Sequence, residues 1–340
     1  MRTLLASLAV APLFAQAVAG QEIRLQEHVE VARVVMDVRI VDGKGDPLPS
    51  LGPDDLRVSV DGVTVSLESV RWVAGTTPYA EGLAPAAAEA AGVPAAPAGR
   101  LVVFLFQKDM STQTRLNGLL RMKQEAVKLL GSLRDEDRVA VLSFDTHLKL
   151  WLDFTNDRKR LKTVIETSIL FESEPPERRG LPPSLGAQFD FEAARDAATP
   201  EAALLVVARA LRALPGTKSI ALFGWGLGRL DGDSVHLAPE YEEARRVLVA
   251  ARAVVFSLDI SEVDYHTLEI GLRQVADDTG GFYVKTHLFP GMAMEKLERA
   301  LAGYYTLSFE RPQLPRGTHA VKVELTRRKG TVLTTGSYTD

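Results

Sequence analysis

The sequence predicts an α/β fold: a doubly wound, mainly parallel sheet with one antiparallel edge strand, plus a small β-sandwich built from the N- and C-terminal segments. Three observations predict it. Residues 101–106, Leu-Val-Val-Phe-Leu-Phe, form an unbroken apolar run, the pattern of a strand buried on both faces of a parallel sheet. From there to residue 301, short apolar runs alternate with stretches whose apolar residues recur at helical spacing. Right-handed crossovers turn such alternation into a sheet covered by helices on both faces. Before residue 75 and after 303 the chain instead alternates apolar and polar residues with period two, the signature of half-buried strands.

The chain has 340 residues, the length of about two domains. Hydrophobic residues make up 46% and charged ones 25%, so a sizeable core can be buried. The net charge of −4 comes with no basic stripe, which argues against nucleic acid as a partner. Cysteine is absent, which excludes disulfides, a thiol nucleophile and thiolate metal sites.

Met1-Arg2 is positively charged, residues 4–18 are mostly Leu, Ala, Val and Phe, and Ala17-Val18-Ala19 is a small-x-small ending. This is the pattern of a signal peptide, expected over 1–19 with cleavage near Ala19-Gly20. No cysteine follows for lipid attachment, and no later stretch is long and apolar enough to span a membrane. The mature chain is expected to be exported, periplasmic or secreted.

In chain order, residues 34–41 alternate, with Val34, Met36, Val38 and Ile40 on one face and Asp37 and Arg39 on the other. Leu56, Val58 and Val60 alternate again, Asp61-Gly62 is a hairpin turn, and Val63, Val65, Leu67, Val70 and Trp72 continue as strand. These make an N-terminal β segment over 31–75, too thin to bury a core alone. Residues 76–99 are rich in Ala, Pro and Gly and read as a linker. The α/β domain is expected over 100–303. Its first helix begins near Arg115, with Leu116, Leu119, Leu120, Val127 and Leu130 as the apolar stripe. A strand at 138–144 turns through Asp145-Thr146-His147 into residues 148–154, and so short a turn makes the latter an antiparallel edge strand. Residues 172–198 read as irregular. Thr199-Pro200-Glu201 opens a helix, and strands and helices alternate to residue 301. In the tail, residues 304–309, 320–326 and 332–338 read as strands, the last as one continuous strand. The C-terminal β segment, 304–340, is expected to pack with 31–75.

This order resembles the von Willebrand factor A domain, and the whole chain looks like the VWFA-related family of exported bacterial proteins, of acidobacterial type. The resemblance is carried by Val41-Asp42-Gly43-Lys44-Gly45, Asp54-Asp55-Leu56, Asp61-Gly62, Phe154-Thr155-Asn156-Asp157, the run from Tyr304 to Phe309, Gly317-Thr318-His319 and Gly336-Ser337-Tyr338. It implies a Mg²⁺ site, the metal-ion-dependent adhesion site, with Asp-x-Ser-x-Ser after the first strand, a Thr from a middle loop and an Asp after the fourth strand. A hard cation wants oxygen ligands and at least one or two carboxylates. Here the first motif reads Gln107-Lys108-Asp109-Met110-Ser111, and Gly224-Trp225-Gly226 follows the strand ending at Phe223. The carboxylates are largely missing, so a degenerate site without bound metal is expected, with Lys108 adding positive charge near Asp109. The binding loops expected at that position hold Gln107, Asp109, Ser111, Thr112, Trp225 and Asp259, the last from the next strand end.

Other motifs carry less. Gly224-Trp225-Gly226-Leu227-Gly228 lacks the third glycine of a dinucleotide fingerprint and reads as a close-packed loop with Trp225 as a contact anchor. Gly232-Asp233-Ser234 is similar to an esterase nucleophile block but falls in a loop, without its strand context. The six histidines show no metal-ligand spacing. The function expected is an exported, non-enzymatic binding or assembly module whose partner is a protein, with no cofactor. The alternatives are an esterase-like hydrolase using the Gly232-Asp233-Ser234 loop, and a structural envelope domain with no ligand.

Overall fold

The computed structural model describes residues 33–74, 99–171 and 182–340. The signal peptide at 1–19, the linker up to residue 98 and residues 172–181 of the irregular loop lie outside the described residues.

Strand β1 (Arg33–Val41) buries Val34, Met36, Val38 and Ile40, as the alternation requires. β2 (Leu56–Val60) turns through Asp61 (φ 48°) and Gly62 (φ 83°) into β3 (Val63–Val65). Two consecutive left-handed residues make the turn that matches strand twist in a two-residue hairpin. β4 (Leu67–Ala74) does not continue β3. It crosses to another sheet and pairs with a tail strand.

The α/β part begins with β5 (Leu101–Gln107), buried along its whole length. Helix α1 (Gln113–Ser132) follows. Its buried face is Gly118, Leu119, Met122, Ala126, Leu129 and Leu130, while Leu120 is exposed and Leu116 and Val127 are half-buried. The expected stripe was out of phase because the small residues Gly118 and Ala126, which let the helix approach closely, do not register as apolar bulk. β6 (Arg138–Phe144) and the antiparallel edge strand β7 (Leu148–Thr155) come next. Asp157 caps α2 (Arg158–Thr163), accepting from the Lys159 and Arg160 amides. A short helix missed by periodicity, α3 (Phe191–Asp196), is started by Asp190, which accepts from the Glu192 and Ala193 amides. Six residues are too few to show a helical repeat. α4 (Pro200–Arg212) is capped by the Thr199 hydroxyl, as expected. β8 (Lys218–Gly224) leads to an exposed hairpin of β9 (Arg229–Asp231) and β10 (Ser234–His236). Then come α5 (Glu240–Ala250), β11 (Ala253–Asp259), α6 (Glu269–Asp278), β12 (Tyr283–Lys285) and α7 (Pro290–Leu301). The six-stranded sheet runs β12-β11-β8-β5-β6-β7, parallel except for β7. Apolar cores lie on both of its faces.

The tail contributes β13 (Gly303–Glu310), β14 (Thr318–Leu325), β15 (Thr331–Thr334) and β16 (Ser337–Thr339). The stretch expected as one last strand is therefore two, which join different sheets. Those sheets, β15-β1-β13-β4 and β16-β14-β2-β3, each mix strands from both ends of the chain. Val38, Ile40, Val58, Val60, Tyr305, Leu307 and Phe309 fill the core between them. The Tyr305 hydroxyl is satisfied there, donating to the Leu48 carbonyl (2.7 Å) and accepting from the Leu51 amide (3.0 Å).

The second face of β1 is not a solvent face. Arg39 is buried, donates to the Ala300 carbonyl at 3.2 Å, and lies against the Phe256 and Tyr304 rings. Asp37 accepts from Arg252 Nε and Nη2 (2.9 and 2.7 Å), Thr217 (2.7 Å) and Thr306 (3.1 Å). These two charged residues fasten the sandwich to the α/β sheet.

Candidate functional site

Open α/β sheets bind ligands beyond the carboxyl ends of their strands, and the loops after β5, β8 and β11 meet that edge. β5 ends at Gln107, which is 2% exposed. Its Oε1 accepts from the Trp225 amide (2.9 Å) and the Gly226 amide (3.2 Å), and its Nε2 donates to the Gly226 carbonyl (2.8 Å). A carboxamide donates and accepts at once, so this one side chain ties the end of β5 to the loop after β8. Gly224 is coupled to it. A Cβ at that position would stand 3.0 Å from Gln107 Oε1 and 3.0 Å from a Leu272 methyl, so an acid there would push against the carboxamide. At Gly226 an added Cβ would stand 2.6 Å from the Leu268 Cβ, which bears out a close-packed loop. Beneath Gln107 an apolar cavity of about 10 Å³ lies between Leu105, Leu204, Leu222 and Leu227, room for one water.

Asp109 points the other way. Its Oδ1 accepts from the Ser111 amide (2.7 Å), and its Oδ2 pairs with Arg115 of α1. Burial alone would raise its pKa, but the hydrogen bonds from Ser111 and Arg115 outweigh that and hold it below the ordinary carboxylate range. The Arg115 guanidinium lies 3.7 Å over the Trp225 ring, a cation–π contact. Ser111 and Thr112 are exposed, and Thr112 precedes α1 without a side-chain capping bond. Lys108 is not the charge beside Asp109. It turns away into an ion pair with Asp145 (2.8 Å), which Lys149 also approaches (3.3 Å). Gln107, Asp109, Arg115 and Trp225 thus form one linked rim with Ser111 beside it.

As ligands for a hard divalent cation these groups fit poorly. The Gln107 oxygen is neutral and already shared by two N–H donors, Asp109 is neutralised by Arg115, and Gly224 offers no oxygen of its own side chain.

The strand order, the single antiparallel edge and these loops at its carboxyl side decide the fold class. It is von Willebrand factor A-like. Among solved structures the chain is similar to a von Willebrand factor type A protein from Catenulispora acidiphila, at 11% identity, covering 86% of this chain and 74% of that one with a TM-score of 0.43. It is similar to the conserved hypothetical protein BatB from Bacteroides thetaiotaomicron, at 16% identity over 60% of this chain and 97% of that one, TM-score 0.40. It is also similar to the vWF domain of the type V pili tip protein Mfa5 from Porphyromonas gingivalis, at 12% identity over 59% and 94%, TM-score 0.38. No family model and no curated protein matches the chain.

Asp259 does not join the rim. It lies level with Gly224 on the neighbouring strand, fully buried, inside a separate cluster. Its Oδ1 accepts from the Ser261 amide (2.9 Å) and hydroxyl (2.6 Å), and its Oδ2 from His266 Nε2 (2.9 Å) and the Tyr283 hydroxyl (2.6 Å). Burial opposes ionisation, yet the bonds from His266, Ser261 and Tyr283 keep the carboxyl below its ordinary range. Burial, and then the bond to Asp259, push the Tyr283 phenol up. Glu269, in the first turn of α6, pairs with Lys285 (2.6 Å). Reading the histidines by their spacing to one another missed His266 and Glu269. The legible signal was a His-x-x-Glu pair shortly after an Asp at a strand end.

Gly232-Asp233-Ser234 is the turn of the β9–β10 hairpin, with Ser234 exposed and paired across the strands with Asp231. Among the described residues no hydrogen bond joins a histidine to Ser234, the contact by which a base activates a serine nucleophile.

Proposed function

We propose that this chain is an exported, non-enzymatic protein-binding or assembly module that engages its partner through the Gln107–Asp109–Arg115–Trp225 rim without a bridging metal ion. The observation that carries the reading is the Gln107 carboxamide, which holds the loop after β8 by three hydrogen bonds where the resemblance implies a metal-binding acid. The rim is thereby ordered by the chain's own atoms. Trp225 and Arg115 are of the residue types that dominate binding hot spots, and they are stacked and therefore preorganised. No helix among the described residues is long and apolar enough to cross a membrane.

Capture from envelope extracts of the source cells tests this. The wild-type chain is expected to retain a protein partner in EDTA, and Trp225→Ala to lose about 2 kcal/mol of binding, roughly thirtyfold in affinity. Binding that requires a divalent ion, or that is indifferent to both Trp225→Ala and Arg115→Ala, would refute the proposal.

A further inference from the structure

We infer that Asp259, His266 and Glu269 form a site for a borderline transition-metal ion such as Zn²⁺, separate from the rim and on different elements. One donor atom from each of the three lies within 4.8 Å of the others. One imidazole nitrogen and two carboxylate oxygens are a donor set that Zn²⁺ accepts with its fourth position left to water. Mg²⁺ and Ca²⁺, which want six or more oxygens, are poorly served by it.

The ligands are held as a metal site requires. Asp259 ends a buried strand, and the Ser261 amide and hydroxyl both fix its Oδ1, leaving Oδ2 turned toward His266. Tyr283 donates to that same Oδ2, and Arg273 stands 3.7 Å from Glu269. Such outer partners orient ligands and tune their charge. His266 precedes Glu269 by three residues, and its amide faces the Glu269 carboxylate at 3.4 Å. The imidazole is 19% exposed, which gives an ion a way in.

The cluster already holds a cation. The Lys285 ammonium is 2.6 Å from Glu269 Oε2 and donates to the Asp264 carbonyl. An ion reaching Glu269 must therefore displace this ammonium. Binding displaces the Lys285 ammonium toward water, which it already reaches with 25% of its side chain. As a ligand, His266 must present Nε2 without its proton, so that Nε2 faces the ion in place of donating to Asp259. No bond to carbon changes and no redox partner is needed.

The test is calorimetric titration of the metal-stripped, tag-free chain with Zn²⁺, together with the absorption spectrum of its Co²⁺ form. One ion per chain is expected. His266→Ala and Glu269→Gln should each weaken binding roughly a hundredfold, and Tyr283→Phe, an outer partner, about tenfold. Lys285→Met should tighten it several-fold by removing the competing ammonium, whereas a purely structural salt-bridge cluster would gain no affinity. Glu269→Gln preserves shape and keeps the test decisive if His266→Ala misfolds. Failure of both the wild type and Lys285→Met to bind saturably, or binding unmoved by His266→Ala and Glu269→Gln, would overturn the site. Neither outcome bears on partner capture by the rim.

Discussion

Gln107 and Asp259 end two strands of one sheet with only β8 between them, and each buries a polar head. Gln107 meets both the N–H and the C=O of Gly226, which demands a group that accepts and donates. Asp259 meets only donors, from Ser261, His266 and Tyr283, which demands an acceptor and rewards a charged one. The edge therefore keeps its buried negative charge on β11, where the chain surrounds it with donors. At β5, where the neighbouring loop presents a carbonyl as well, it carries a neutral amide.

Substitutions that exchange or remove these heads sharpen the contrast. Asp259→Ala strips the acceptor from four donor contacts, two of them buried, and should cost roughly 3 kcal/mol or more in thermal or urea unfolding. Gln107→Ala leaves two amides and one carbonyl of the β8 loop without their partner, and about 2 kcal/mol is expected. Hydrogen exchange at Trp225 and Gly226 should quicken in that variant while the β11 amides stay protected. Protection unchanged at Trp225 and Gly226 would mean that Gln107 does not hold the loop. The pH response should also differ between the two. The Asp259 pKa is lower in the folded chain than its ordinary 3.8, so its stabilisation is complete above about pH 4 and is lost as pH falls through the folded value. Asp259→Asn should flatten the acid limb of melting temperature against pH, and Gln107→Ala, which removes no titrating group, should not. The smallest effect belongs to Asp109→Asn. The Asp109–Arg115 pair is 14% and 31% exposed, and about 0.5–1 kcal/mol is expected.

Most of the architecture was legible because its signals are local. The buried run of β5, the short turn before β7 and the Thr199 cap each declare themselves within a few residues. Pairing between the chain ends was legible only as a need for more strands. That β4 leaves β3 to pair with β13 depends on contacts more than 200 residues apart in sequence. The polar face of β1 misled for the same reason, since Asp37 and Arg39 look solvated until Arg252 and Ala300 are brought to them. At the rim the sequence showed what is absent, the acids at 107 and 224, but not what replaces them. A carboxamide bonded to a distant backbone leaves no pattern, and neither does Arg115 stacked on a tryptophan far along the chain. Lys108 misled because sequence neighbours at a strand end turn to opposite faces. It reached Asp145 and not Asp109.

Whether the rim stands without an ion can be measured directly by melting the metal-stripped wild-type chain in millimolar Mg²⁺ or Ca²⁺ against EDTA at matched ionic strength. An ion bound only to the native state adds RT ln(1 + [L]/Kd), about 2.7 kcal/mol at a hundredfold excess over Kd, which is several degrees in a chain of this size. Identical melting temperatures in metal and in EDTA are expected. A saturable rise that disappears in Asp109→Ala would contradict the metal-free rim and restore a cation to the end of β5.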